Sequence, residues 1–281
     1  TSFWSHTYTD WEQIEAPSPL GETCTHGLTL DWKRFVTEQS TDFMNVEIAA
    51  LKEFTPDIPV TTNYLNFYDG LDYRVMSKSL DFISNDLYSD WQGDERVDIE
   101  VAKDAAMCHD LMRTLKGKPF MLMESTPSMV NWKGVNKPKR PGVHELSEMQ
   151  AVAHGADAVQ YFQWRKSRGC SEKFHGAVVD HVGHENTRVF REVSRLGERL
   201  KKLDDIVGTL TEAKAAILYD WVNDWALKDA RAFHPWDKKL MKTIKSFYSP
   251  LWENGIDTDI IGVEDSFEKY RLIIAPMIYS I

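Results

Sequence analysis

The sequence predicts an α/β fold in which parallel strands alternate with helices. Short apolar runs without polar alternation, such as residues 120–124, are typical of strands that are buried on both faces. Stretches with apolar residues at helical spacing separate these runs. The order of strand and helix repeats along the chain, which favours parallel pairing through right-handed crossovers.

Length and composition bound the class of protein. The chain has 281 residues and a mass of 32.4 kDa, enough for one and a half to two domains. Its net charge of -10 argues against a nucleic-acid partner, which usually requires a clustered basic face. Aromatic residues make up 12%, and several of the 10 tryptophans, such as Trp91 and Trp132, have polar neighbours. Such indoles suit a sugar-binding cleft, although tryptophans also fill large cores.

Cysteine usage and hydropathy predict the compartment. Cys24, Cys108 and Cys170 are scattered and lack CxxC spacing, which favours a reducing compartment and hence a cytoplasmic protein. We recognise no signal-peptide pattern and no apolar run long enough to span a bilayer, so no membrane partner is expected.

The elements of the first part can be taken in order. Residues 1–30 are aromatic and contain prolines, which predicts a long loop or lid with one helical turn at residues 10–14. Gly117 and Gly155 mark the predicted ends of two helices. The predicted series is helix 30–54, strand 58–63, helix 73–80, strand 80–88, helix 97–115, strand 120–124, helix 145–154, strand 158–164 and helix 186–203. Such alternation is compatible with a doubly wound sheet and with a TIM barrel.

A new series of predicted strands and helices begins after Gly208. Strands at residues 213–219, 258–261 and 270–277 and a helix at residues 238–252 predict a separate, flavodoxin-like α/β domain. We therefore divide the chain into residues 1–208 and 209–281. The aromatic and acidic segment 220–225 is expected to form an interface or a wall of the rim.

The ends of the four predicted strands gather chemically active side chains. Because parallel strands have their carboxyl ends at one edge, these side chains should meet there, where TIM-barrel enzymes place their catalytic residues. They are Asn63, Tyr88, Glu124 and Trp164, and the loop after the last strand adds Arg165, Glu172 and His175.

Glu124 is the central residue of this set. An ionisable group at the end of an apolar run is costly to bury without a partner. It is therefore either a helix-capping or salt-bridged residue, or a catalytic carboxylate at the rim of the sheet. Carboxylates, a phenol, a Trp and a His at one edge favour glycoside hydrolysis, in which one carboxylate attacks the anomeric carbon.

A metal site is the alternative at this edge. His175, His181 and His184 lie close together in the sequence, but their spacing matches neither HExxH nor a structural zinc pattern. We expect no metal and no cofactor.

Several motifs resemble the β-galactosidases of glycoside hydrolase family 42, in order and over essentially the whole chain. They are residues 3–11 (FWSHTYTDW), 121–124 (MLME) with Asn131 and Trp132, 153–157 (AHGAD), and 162–165 (FQWR) followed by 172–176 (EKFHG). The resemblance implies the second half of a TIM (β/α)8 barrel followed by the start of a trimerisation domain. It also implies a cytoplasmic homotrimer that hydrolyses terminal β-D-galactosides with retention and without a cofactor.

The resemblance assigns roles to individual residues. Glu124 is expected to be the nucleophile, bordered by Tyr88, and Trp132 is expected to lie against the galactose. Glu172 and His175 are expected to hold sugar hydroxyls, and the site-residue set is completed by Phe162 in the substrate-binding region. Arabinosides or fucosides are alternative substrates, since the motifs specify the reaction centre better than the sugar hydroxyl that the site recognises.

One family feature is not found in this sequence. The acid/base Glu of the family follows an Asn near the end of the fourth barrel strand, which would lie upstream of Thr1, and Glu185-Asn186 has the wrong order. Retaining chemistry requires two carboxyl groups about 5 to 5.5 Å apart. We therefore expect the isolated chain to be inactive. As an alternative function, the chain would be a non-catalytic assembly piece whose strand edges pair with another copy or with the missing half.

Overall fold

The structure is a computed structural model that describes residues 7–17, 26–91, 97–230 and 238–279. Cys24 and the beginning of the first family motif, residues 3–6, lie outside the described residues. A 3-10 turn at Trp11–Gln13, capped by the Asp10 side chain, confirms the helical turn predicted there.

The first part of the chain contains four strands and five helices among its described residues. The strands are β1 (Asn63–Tyr64), β2 (Ser84–Asp86), β3 (Phe120–Ser125) and β4 (Ala156–Tyr161). The helices are α1 (His26–Phe54), α2 (Tyr73–Ser77), α3 (Asp98–Lys116), α4 (Val143–Ala153) and α5 (Arg188–Leu200). The strands form one parallel sheet in the order β1-β2-β3-β4, which confirms the predicted α/β class with parallel pairing.

The second part forms a parallel sheet of its own. Its elements are β5 (Ala215–Leu218), α6 (Trp221–Asp229), α7 (Leu240–Glu253), β6 (Thr258–Ile261) and β7 (Leu272–Ile274). The strand order is β6-β5-β7, so the first strand of this part lies in the middle. All residues of β5 and β6 are buried, as expected for strands covered on both faces, whereas β7 is partly exposed.

Some predicted boundaries were wrong, and others were confirmed. Strand 58–63 is reduced to β1, since Pro59 has no N–H and the N–H of Val60 donates to the Asp81 carboxylate at 2.7 Å. Helix α1 begins at His26, so residues 26–30 are not part of a loop. Helix α3 ends as predicted, because Gly117 adopts a φ of 58°, which favours glycine.

The predicted strand 158–164 also ends early. Strand β4 stops at Tyr161, and the chain then pairs with residues 176–179 through hydrogen bonds from Gln163 to Gly176 and from Val179 to Trp164. Trp164 therefore lies beyond the sheet, is 66% exposed and packs near Phe190 of α5. The prediction that it ends a strand was wrong.

The two parts meet at a buried boundary. Trp221 and Trp225 of α6 are buried, and their indole N–H groups donate to the carbonyl oxygens of Tyr68 at 2.9 Å and Asp69 at 2.6 Å. This contact confirms the interface predicted for segment 220–225. Within the described ranges, no helix is both long and apolar enough to cross a membrane.

Candidate active site

Glu124 lies at the carboxyl end of β3, with its carboxylate oriented by Tyr88. The Tyr88 hydroxyl donates a hydrogen bond of 2.5 Å to Oε2 of Glu124. The backbone N–H of Leu87 donates to the Glu124 carbonyl at 2.9 Å, which holds the ends of β2 and β3 together. Burial and the neighbouring Glu124 carboxylate raise the pKa of Tyr88 well above its usual value. The phenol therefore remains a hydrogen-bond donor to the carboxylate.

Four rings form one wall beside this carboxylate. The ring of Tyr88 lies 4.9 Å from Trp132 and 5.7 Å from His175, measured between centroids. Trp132 and His175 are 5.4 Å apart, and Phe162 meets His175 edge to face at 5.0 Å. Trp132 remains 56% exposed, although its other neighbours are at least partly buried. The wall thus offers aromatic faces and edges beside a carboxylate, which suits a sugar ring.

His175 has hydrogen-bonding capacity that the described residues do not fill. Its ring is buried, and Nδ1 lies 3.1 Å from the carbonyl oxygen of Gly176. Because a carbonyl can only accept, Nδ1 carries the proton, which leaves Nε2 as an acceptor in the neutral ring. Nε2 is enclosed and has no partner among the residues that the structure describes.

Glu172 is linked to the aromatic wall by a hydrogen bond from Asn131, which lies in the loop that follows β3. The side-chain amide of Asn131 donates to Oε2 of Glu172 at 2.9 Å and to the carbonyl of Ser171 at 2.8 Å. Glu172 is half-buried in a 3-10 turn, Ser171–Phe174. Asn131 therefore ties this turn to the segment that carries Trp132.

Comparison with known proteins identifies the family of this chain. The family model of the glycoside hydrolase family 42 β-galactosidases matches residues 1–203. The chain belongs to glycoside hydrolase family 42. A second model, described as the β-galactosidase trimerisation domain, matches residues 213–281.

Individual curated β-galactosidases are similar to this chain over its whole length. The β-galactosidase BglY of Alicyclobacillus acidocaldarius is 54% identical over 281 residues, which are 100% of this chain and 41% of the relative. The β-galactosidase GanA of Bacillus subtilis is 52% identical and is covered to 43%. The chain thus spans about two fifths of the length of these curated relatives.

Solved β-galactosidase structures have the same fold over the part that this chain covers. A catalytic mutant of the β-galactosidase Gan42B from G. stearothermophilus is 53% identical, with a TM-score of 0.96 over 99% of this chain and 41% of the other. The β-galactosidase from Rahnella sp. R3 is 52% identical, with a TM-score of 0.94 over 100% of this chain and 41% of the other.

The structure brings the predicted site residues of this family 42 chain together. Tyr88, Trp132, Phe162 and His175 contact one another as a chain of rings, and Glu124 accepts from Tyr88. Glu172 joins them through Asn131. Among the other predicted rim residues, Asn63 lies at the same edge, whereas Trp164 packs towards α5. Arg165 pairs through its backbone with Val179.

Asp86 lies beside Glu124, and the predicted set of site residues did not include it. Its Cα pairs with that of Glu124 across β2 and β3, and its side chain is buried. Asn63 donates to Oδ2, whereas Oδ1 is enclosed without a partner among the described residues. Burial raises the pKa of Asp86 to about 6, helped by the nearby charge of Glu124 and opposed by the Asn63 hydrogen bond. The acidic end of the apolar run 80–88 was visible in the sequence, but the register that sets it opposite Glu124 was not.

The histidines that raised the metal alternative lie apart. His181 Nε2 is 2.6 Å from the carbonyl oxygen of Ser167, and His181 and His184 are exposed. Across residues 7–17, 26–91, 97–230 and 238–279, no three His, Cys, Asp or Glu side chains are grouped so as to hold a metal ion.

Proposed function

We propose that the full-length protein hydrolyses terminal β-D-galactosides with retention, and that Glu124 is its nucleophile. The observation that carries this proposal is the Glu124 carboxylate held by the Tyr88 hydroxyl at the carboxyl end of β3, beside an aromatic wall. The β-galactosidase names of the family 42 relatives favour galactosides over other sugars.

The proposed reaction has two displacements. A carboxylate oxygen of Glu124 attacks the anomeric carbon while the bond to the leaving oxygen breaks and that oxygen takes a proton from a general acid. Water then attacks the glycosyl ester, loses a proton to the same acid/base group and releases galactose and the Glu124 carboxylate. In the described residues, no Asn-Glu pair stands at this edge, and we take the acid/base group from the remainder of the full-length protein.

The rings and polar groups around Glu124 would bind the sugar. Trp132 would stack against the apolar face of galactose, with Phe162 and Tyr88 completing the wall. The enclosed Nε2 of His175 would accept a hydrogen bond from one hydroxyl, and the Glu172 carboxylate would accept another.

The wider organisation is also a proposal. We take residues 1–208 as half of a TIM barrel and residues 209–281 as the beginning of a flavodoxin-like trimerisation domain, which implies a homotrimer. The family matches to residues 1–203 and 213–281 and the two separate parallel sheets support this division. The free thiols of Cys108 and Cys170 are compatible with the predicted cytoplasmic location.

A second proposal concerns the isolated chain, which we take to be a non-catalytic assembly piece. Helix α1 exposes Phe43, Val46 and Phe54, the last of them to 84%. Such a stripe on a long helix favours association with another polypeptide. Gel filtration beside an activity assay tests this proposal, which an active monomeric chain would contradict.

The Glu124 proposal is tested by Glu124→Gln in the full-length protein. We expect turnover of an aryl β-galactoside to fall by about four orders of magnitude, with unchanged thermal stability, because the amide cannot form the glycosyl ester. The exposed Glu53→Gln on α1 is the control and should retain full activity. Near-normal turnover by Glu124→Gln would refute the assignment. The wild-type enzyme should be assayed with aryl arabinosides and fucosides as well, since preference for either would refute galactoside specificity alone.

A further inference from the structure

A buried ion pair lies behind the strand that carries Glu124. Lys139 stands at the end of the loop after β3, and Glu148 stands on α4, with 3.4 Å between Nζ and Oε1. The two side chains are 4% and 1% exposed. The proposed reaction does not use either residue.

Glu148 holds the carboxyl end of β3. The Ser125 hydroxyl donates to Oε1 of Glu148 at 3.1 Å, and Ser125 directly follows Glu124. The Ser147 hydroxyl donates to the same oxygen at 3.3 Å. Oε1 of Glu148 is therefore the common acceptor that joins β3 to α4, and the residue of β3 that precedes Ser125 is the proposed nucleophile.

Lys139 holds the far end of the same loop. Its backbone N–H donates to the carbonyl of Ser128 at 2.8 Å, and its ammonium group donates to Ser147 at 3.2 Å. The guanidinium of Arg188 donates to the Lys139 carbonyl at 2.8 Å. The ion pair thus closes a loop that begins beside Glu124 and carries Asn131 and Trp132.

The closed loop also packs tightly against the His175 side of the site. The N–H of Gly176 donates to the carbonyl of Met129 at 2.7 Å. A Cβ at Gly176 would lie 2.7 Å from the Met129 backbone, so only glycine allows this approach. A shift of the loop would therefore move Trp132 and would also displace Gly176, which directly follows His175.

Buried ion pairs are poor sources of net stability. Desolvation of two charges offsets most of their attraction, and matched apolar replacements are often neutral, whereas removal of one partner is strongly destabilising. Burial raises the pKa of Glu148 and lowers that of Lys139, and each charge opposes the shift of the other. A gain in stability therefore does not account for this pair, and its contacts suggest a role in geometry.

We propose that Lys139 and Glu148 are positioning residues that fix Glu124 and Trp132 relative to each other, so that both face the same sugar. The proposal rests on the proposed function of Glu124 and Trp132. A displacement of about 1 Å between reacting groups can cost roughly a hundredfold in rate. The pair should therefore affect kcat as well as stability.

The test separates these two effects in the full-length protein. Lys139→Met and Glu148→Met, made singly, each leave one buried charged group without its partner, so both thermal stability and kcat should fall. In the double variant, two unbranched apolar side chains replace the pair, so the melting temperature should recover while kcat stays about tenfold to a hundredfold low. The exposed pair Glu198 and Lys201, replaced by Met in the same way, should leave both quantities unchanged.

Two further measurements keep the proposal open to refutation. Ser125→Ala removes the link from β3 to Glu148, together with a 3.3 Å contact from the same hydroxyl to the carbonyl of Gln160, and should lower kcat severalfold with a small change in melting temperature. Trypsin should cleave the double variant faster than the wild type after Lys133, which precedes Gly134, because the loop is released. If the double variant folds and recovers wild-type kcat, or if Ser125→Ala has unchanged kcat, the positioning role is wrong.

The two proposals can fail separately. Faster cleavage of the loop in the double variant together with an active Glu124→Gln variant would retain the loop closure and refute the proposed function. An inactive Glu124→Gln variant together with unchanged kcat in the double variant would support the proposed function and refute the positioning role of Lys139 and Glu148.

Discussion

The carboxyl end of the first sheet and the boundary between the two sheets are alike in sequence but differ in how their polar groups are satisfied. Both combine tryptophans with carboxylates. At the boundary, Trp221 and Trp225 are buried and donate to backbone carbonyls. Arg113 contacts Asp110 at 2.6 Å and Asp259 at 2.8 Å, so each of these carboxylates has a cationic partner.

The carboxyl end of the sheet leaves comparable groups unsatisfied. Trp132 is largely exposed, and Asp86 pairs in register with Glu124, a second acid. Buried polar atoms of Asp86 and His175 have no partner among the described residues. Native proteins rarely leave such groups unpaired without a reason. Buried atoms without a partner in the described part of the chain also occur at the boundary, as at Nε of Arg74. The difference teaches that composition marks both regions, whereas two like charges in register distinguish the candidate site.

The largest effect on stability is expected from Arg113→Met. The substitution leaves Asp110 and Asp259 buried without their guanidinium partner, which should cost about 3–5 kcal/mol in the free energy of unfolding. The folded fraction should retain its kcat, because Arg113 is not at the sheet end. Urea unfolding measures the loss. Arg34→Met, which removes an exposed pair with Asp31, should change stability by less than about 1 kcal/mol. Equal effects of the two substitutions would remove the distinction between boundary and surface.

Two tryptophan substitutions sharpen the comparison directly. Trp221→Ala removes a fully buried ring and should cost about 3–5 kcal/mol in the free energy of unfolding. Trp132→Ala removes an exposed ring and should cost less than about 1 kcal/mol, while KM for a galactoside rises. Chemical denaturation measures the free energy of unfolding of both variants, and steady-state kinetics measures their KM. A strongly destabilised Trp132→Ala variant with unchanged KM would show that this ring serves the core.

A smaller and pH-dependent effect is expected from Asp86→Asn. The folded pKa of about 6 lies above the ordinary value of 3.8, so the folded state holds a proton that the unfolded state releases between about pH 4 and 6. Stability from this group therefore declines as the pH rises through that window and stays lost above it. Asn cannot ionise, so the variant should be more stable than the wild type at pH 7.5, by up to about 3 kcal/mol, and equal to it near pH 4.

Unfolding in urea at both pH values measures this difference. The exposed Asp205→Asn is the control and should show no such change with pH. A variant that is less stable than the wild type at pH 7.5 would mean that the ionised Asp86 is well paired, contrary to the comparison.

The sequence predicted the features that depend on local pattern. Apolar runs and helical spacing specified the parallel α/β order, and an ionisable residue after an apolar run pointed to Glu124. Long-range pairing was less accessible. The Asp81 carboxylate accepts a hydrogen bond from the N–H of Val60, and β1 is therefore shorter than predicted. Near Trp164 the chain pairs with residues 176–179 and leaves the sheet.

The same limit applied to the site. Only the register of β2 against β3 shows that Asp86 lies opposite Glu124. Glu148 and Lys139 are nine residues apart, on a helix and a loop, and only the fold brings them behind Glu124. The family motifs supplied the expected set around Glu124, but they named neither Asp86 nor this pair.

Covalent trapping tests the central claim most directly. The full-length protein would be incubated with an aryl 2-deoxy-2-fluoro-β-galactoside that carries a good leaving group, digested, and mapped by mass spectrometry. A retaining enzyme with Glu124 as nucleophile should accumulate one fluorogalactosyl ester, on Glu124, as activity is lost. An ester on Asp86 or on any other carboxylate, or inactivation without an adduct on Glu124, would contradict the account.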